Sequence, residues 1–195
     1  IVHGVGLSPD NLALMEERGA GLIWCPSSNL FLFGETVDVT AVPDSVPVAL
    51  GTDSMLSGKP TLFDELRVAA AQAPVATERL LGMVTDTAAQ VLQVTETAGS
   101  LTDGKPADLL LLPRSDDDPY RTLLGARPEN VVLVLSRGRP LYGDQSMRPL
   151  FEHCKAEYEE VTVGGTPKLI MPGLRGLAER LRDRGVSLPI DVVSH

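Results

Sequence analysis

His3 and Asp53 are the two residues whose type and setting suit metal-binding or acid–base chemistry. Each follows a short apolar run, Ile1-Val2 in one case and Val46-Pro47-Val48-Ala49-Leu50 in the other, where the chain turns polar. An imidazole and a carboxylate so placed could bind a divalent ion or pass a proton to and from water. Neither builds a metal centre alone. A catalytic divalent site takes about three protein ligands plus an open position for water. The three histidines, His3, His153 and His195, have no partner at the i+2 or i+4 spacing that puts two imidazoles on one ion. From spacing alone Asp53 also reads as a turn or cap aspartate. Ser27, Ser28 and Asn29, which follow a third apolar run, read as turn and cap residues.

The elements that must position these residues form a unit of apolar strand, polar break and helix or helix remnant, which occurs three times in the first ~70 residues. Ile1-Val2 breaks at His3-Gly4, after which Ser8-Pro9-Asp10 supplies an N-cap, a proline at the first helical position and a first-turn acid. Gly21 to Cys25 breaks at Pro26-Ser27-Ser28-Asn29, and Val46 to Leu50 breaks at Gly51-Thr52-Asp53-Ser54, with a helix from Thr61 to Gln72 behind it. Strands apolar on both faces and alternating with helices predict a parallel sheet, whose binding site lies at the strands' C-terminal ends. Two more helices follow, at Thr77 to Met83 and Thr85 to Gln93. The period then shortens to that of strands: Ala107 to Leu112, a hairpin of Asn130 to Leu135 and Arg139 to Tyr142 about Ser136-Arg137-Gly138, and a pair at Glu160 to Val163 and Pro167 to Ile170. Leu174, Leu177, Ala178 and Leu181 mark an amphipathic helix. Met15, Met55 and Met83 read as core side chains, and the acidic stretch Glu157 to Glu160 as a solvated face.

Composition narrows the class. The chain of 195 residues is 43% apolar and 22% charged, ordinary globular usage. A formal charge of -9 argues against nucleic acid and anionic membrane as partners, since both call for clustered Lys and Arg. No apolar run nears the ~18 residues that span a bilayer, and no signal-peptide pattern opens the chain, so a cytoplasmic location is expected. Cys25 and Cys154 lie outside any Cys-x-x-Cys spacing and read as a small buried hydrophobe and an incidental thiol. Because Ile1-Val2-His3-Gly4 opens inside an apolar element, the chain is expected to be part of a longer protein.

The run from His3 to Asp53 resembles the late barrel strands of the amidohydrolase superfamily, in particular the group holding cytosine, guanine and adenosine-type deaminases and triazine chlorohydrolases. His3, then Trp24-Cys25-Pro26-Ser27-Ser28-Asn29, then Ala49-Leu50-Gly51-Thr52-Asp53-Ser54 end three strands in the family's order. Ala98 to Leu109 is similar to the segment entering that family's small β-sandwich domain, and Val134 to Tyr142 to its closing hairpin. The likeness covers about residues 1 to 145.

The resemblance implies the C-terminal part of a metal-dependent (β/α)8 barrel, strands 6 to 8, over residues 1–95. A small β-sandwich-like domain over 96–145 and an extension with an amphipathic helix over 146–195 would follow. Asp53 is then a metal ligand that also takes a proton from the attacking water. His3 is a catalytic residue that hydrogen-bonds water or substrate. The implied cofactor is a divalent metal, zinc first and iron second, which lowers the pKa of bound water toward ~7. The implied reaction is hydrolysis of a carbon–nitrogen or carbon–chlorine bond, the deamination or dechlorination of a small nitrogen heterocycle. Ring opening of a cyclic amide and a non-catalytic assembly subunit are the alternatives. The family's His-x-His of strand 1 and His-x-x-Glu of strand 5 have no counterpart among these residues. The implied partners are therefore an N-terminal half of the barrel, a heterocyclic substrate and further copies in a homo-oligomer.

Overall fold

The computed structural model describes residues 1–185 and 190–192. It divides into two compact units, Ile1–Lys105 and Pro106–His195.

The first unit carries the strand-and-helix alternation. Helix α1 (Pro9–Glu17) is opened by Ser8, whose hydroxyl accepts the Asn11 backbone N–H while the Asn11 side-chain Oδ1 accepts the Ser8 N–H, so two backbone donors that a helix end leaves bare are satisfied. Its Leu12 and Met15 face inward, as the apolar spacing predicts. Strand β1 (Leu22–Trp24) is bridged in parallel by Val2 at Ile23. After helix α2 (Pro26–Phe33), strand β2 (Val48–Leu50) pairs in parallel with β1 at Leu22↔Val48 through Trp24↔Leu50. Leu22 and Trp24 are fully buried, as is all of β2, which is the double-sided cover that a continuous apolar strand requires. Helix α3 (Leu62–Gln72) starts where Thr61 accepts the Asp64 N–H, and α4 (Thr77–Gly82) and α5 (Asp86–Val91) follow.

Helix α2 occupies the stretch read from sequence as a polar break. Its first turn is Pro26, Ser27, Ser28 and Asn29, all four buried. Three polar residues in a row imitate a loop. They form a helix because Pro26 has the φ of a first helical residue and because the Ser27 N–H, the Ser28 hydroxyl and the Asn29 amide find partners across the unit, although the buried Ser27 hydroxyl has none. Met15 and Met83 are in the core as expected, whereas Met55 is 74% exposed, because it stands in the turn after β2 and not on a packed face.

The second unit is built on a six-stranded sheet. In chain order its elements are β3 (Leu109–Leu111), α6 (Pro119–Gly125), β4 (Leu133–Ser136), β5 (Arg139–Asp144), α7 (Arg148–His153), β6 (Glu159–Val163), β7 (Thr166–Ile170), α8 (Leu174–Arg182) and β8 (Ile190–Val192). The strand order is β3-β4-β5-β7-β6-β8. The β4–β5 hairpin turns at Arg137 and Gly138, whose φ values of 50° and 76° are those of the tight turn that matches strand twist. Residues 96–145 and 146–195, read from sequence as separate parts, share this sheet, since β5 pairs with β7 at Tyr142↔Ile170. Leu133, Phe151, Ala156 and Leu169 form its buried cluster, with Tyr158 edge-on to Phe151 at 5.6 Å. Lys168, 1% exposed, is held by the Val131 carbonyl at 2.7 Å and the Asp144 carboxylate. The acidic stretch is not a uniformly solvated face. Glu157 is exposed, but Glu160 pairs with Arg148 at 2.6 Å and Glu159 accepts the backbone N–H groups of Gly173 and Arg175.

Candidate active site

His3 and Asp53 stand just past the ends of their strands with left-handed backbones, φ 70° and 56°. Among non-glycine residues that conformation is best tolerated by Asn, Asp and His, and it costs enough that the surroundings must hold it. For His3 the hold is its own N–H, donated to the Ile23 carbonyl at 2.9 Å. For Asp53 it is the following loop. Gly58 lies so close to the Thr52 carbonyl that a Cβ there would sit 1.7 Å from its oxygen, so only glycine lets the loop fold back. The fold brings Ser57 under the aspartate, where its hydroxyl reaches Asp53 Oδ2 at 3.3 Å.

The first turn of α2 joins the two sites. Ser28, fully buried, donates its hydroxyl to Asp53 Oδ2 at 2.5 Å. Asn29, also fully buried, meets His3 Nδ1 with Oδ1 at 2.9 Å and donates Nδ2 to the His3 carbonyl at 3.3 Å and to Thr36 Oγ1 at 3.1 Å. With the amide nitrogen used as a donor, Oδ1 is an acceptor, so His3 carries its proton on Nδ1 and offers Nε2 as a base or ligand. Thr36 Oγ1 also accepts the Trp24 indole N–H at 2.7 Å, which ties this network into the core. The Ser28 hydroxyl holds the Asp53 carboxyl below the usual carboxylate range; desolvation opposes it, and the charge of His3 and the Ser57 hydroxyl add to it.

Behind α2, Glu65 in the first turn of α3 is fully buried and accepts the Ser27 N–H at 2.8 Å. Burial first, then the charges of Asp53 and Glu65, push the Cys25 thiol up to about 11. Cys25 is thus the small buried hydrophobe expected from its setting.

Of the residues singled out from sequence, His3 and Asp53 are linked through α2, while His153 lies exposed in the second unit and His195 is outside the described residues. Ser28, Asn29, Ser57 and Glu65 belong to the site as well. The first two were read as turn residues, and their full burial is the signal that a turn reading lacks.

The donor set can be tested against a metal. A carboxylate kept ionised by hydroxyl donors and an imidazole whose tautomer is fixed by an amide are what ligands and their supports look like. Among the described residues, however, no three His, Cys, Asp or Glu side chains gather around one point. The pair fits as members of a metal site and falls short of a whole one.

The imidazole and the carboxylate stand at the C-terminal ends of parallel strands, where α/β folds place their binding sites. The chain belongs to the amidohydrolase family, whose model matches residues 1–141. It is 32% identical over 162 residues to a 5-methylthioadenosine/S-adenosylhomocysteine deaminase of Symbiobacterium thermophilum, covering 73% of this chain and 37% of that protein. It is 29% identical over 138 residues to the guanine deaminase of Mus musculus, covering 64% and 30%. Among solved structures, an adenosine deaminase from Xanthomonas campestris with bound zinc superposes with a TM-score of 0.68 at 26% identity, over 79% of this chain and 40% of that one. The chain therefore spans well under half the length of these relatives.

Proposed function

We propose that this chain forms one side of the active site of a metal-dependent hydrolase acting on a non-peptide carbon–nitrogen bond or a carbon–chlorine bond, and that the reaction is deamination or dechlorination of a small nitrogen heterocycle. The observation that carries the reading is the joining of His3 and Asp53 through consecutive residues of α2, Asn29 and Ser28. The deaminase names of the relatives and the zinc in the adenosine deaminase structure support it. The first unit corresponds in this reading to barrel strands 6 to 8, and the second contributes to the small β-sandwich-like domain.

Asp53 would hold the metal, zinc first and iron second, together with ligands supplied by the rest of the barrel. When bound, such an ion supplies Lewis acidity that brings water toward ionisation near pH ~7. Asp53, kept ionised by Ser28 and Ser57, takes the proton that the attacking water loses and returns it to the leaving amine, or to solvent where chloride leaves as the anion. His3, with its proton fixed on Nδ1, turns Nε2 toward water or substrate and orients it.

The test is Asp53→Asn in the whole protein, assayed for ammonia or chloride release on aminated and chlorinated nitrogen heterocycles. Turnover should fall ~100-fold or more with the fold kept, since a ligand charge and the proton carrier go together with little change of volume. Retention of more than about a tenth of kcat overturns the assignment. His3→Ala should be as slow yet keep stoichiometric metal, and loss of that metal would make His3 a ligand instead.

A further inference from the structure

We infer that Glu65 is a positioning residue of this site, fixing the first turn of α2 and through it both Asp53 and His3. The inference rests on the hydrolase reading above. Three consecutive residues of that turn carry the connections. Ser27 donates its N–H to Glu65 Oε1 at 2.8 Å, Ser28 donates its hydroxyl to Asp53 at 2.5 Å, and Asn29 Oδ1 accepts from His3 Nδ1 at 2.9 Å. Successive helical residues rise by only ~1.5 Å, so any shift of the turn is felt at both side chains.

The turn needs an outside acceptor. The first N–H groups of a helix have no partner within it, and the residue before α2, Cys25, makes no capping bond with its side chain. Glu65 supplies the missing cap from another helix. Packing alone would not choose this residue. Glu65 is fully buried, its Oε2 has no hydrogen-bond partner, and none of the salt bridges among the described residues involves it. An apolar side chain beside its buried neighbours Leu66 and Ala69 would avoid the cost of burying a poorly satisfied carboxyl group. What an apolar side chain cannot do is hold the Ser27 N–H.

The test uses the whole protein with Glu65→Leu, Glu65→Gln, Glu65→Asp, Ser28→Ala and the Glu65→Leu/Ser28→Ala double variant. Misplacement by about an ångström costs up to ~100-fold, so Glu65→Leu should lower kcat at least ~30-fold while KM stays within ~3-fold. Glu65→Gln keeps the acceptor oxygen and should return kcat to within ~3-fold of the parent. Glu65→Asp withdraws that oxygen by one methylene and should lose ~10-fold, a result that keeps the inference testable should the leucine variant not fold. The double variant should be no slower than its slower single parent, because both changes act through one turn. Amide exchange at Ser27 should quicken in the leucine variant and not in the glutamine variant. Losses that multiply in the double variant, a glutamine variant as slow as the leucine one, or an aspartate variant equal to the parent would each overturn the inference. Asp53→Asn separates this failure from that of the site reading. If it stays active, the hydrolase assignment falls; if it is inactive while Glu65→Leu is not, only the role of Glu65 falls.

Discussion

At the scale of single residues, the same burial that builds the site silences its thiol. Cys25 is 2% exposed and its thiol is pushed up to about 11, by burial first and then by the carboxylates of Asp53 and Glu65. Because only the thiolate reacts, a thiol raised this far is almost wholly unreactive at pH 8. Iodoacetamide at pH 8 should therefore label Cys154, which is half-buried, and leave Cys25 unmodified in the folded protein, as peptide mass mapping would read. Labelling of Cys25 at a rate matching Cys154 would mean that the thiol is open to solvent and not held in the core. His3 and Asp53 were legible in the sequence because each is a polar residue following an apolar run. Ser28, Asn29 and Glu65 were not, because their partners lie 25, 26 and 38 residues away and no local pattern encodes such a pairing.

At the scale of elements, long-range capping recurs in the second unit. Glu159, on β6, spends Oε1 on the Gly173 N–H at 2.9 Å and Oε2 on the Arg175 N–H at 2.8 Å, at the point where α8 begins. The Gly173 N–H bond is the main cause that holds its carboxyl below the usual carboxylate range, with burial opposing. A group depressed on folding stabilises above its unfolded value, near ~4.3 for Glu, and that stability is lost as the pH falls through the lower folded value. Glu159→Gln should thus lower Tm by a few degrees at pH 7, and calorimetry should show the gap closing as the pH drops toward 3. A gap equal at both ends of that range would mean that the carboxylate charge contributes nothing. Elements with a strong local signature, such as α1 with its Ser-Pro-Asp opening and the β4–β5 hairpin, were readable in advance. The helix α2 was not, because its first turn is made of residues that by type belong to loops.

At the scale of the whole molecule, the alternation of strands and helices announced the parallel unit. The sheet that joins residues 96–145 to 146–195 went unread because β5 pairs past β6 with β7, a choice set by packing and not by spacing. The first unit leaves large apolar side chains in water: Phe31 is 69% exposed, Phe33 60%, Met55 74% and Leu56 90%. Apolar surface on this scale usually has an occupant. The occupant we propose is further polypeptide of the same barrel, since the chain covers 37% of the Symbiobacterium thermophilum deaminase it matches. The same polypeptide would bring the ligands that Asp53 and His3 lack. The 195-residue chain alone should accordingly self-associate in size-exclusion chromatography and hold zinc only weakly, with Kd above ~1 µM, because a carboxylate and an imidazole fall short of three ligands. In the whole protein both deficits should vanish together: a defined assembly and stoichiometric tight zinc, lost on Asp53→Asn. A compact monomer of the isolated chain that binds one zinc below micromolar would show that the site is complete without any further ligand, and would overturn both the ligand assignment and the proposed occupant.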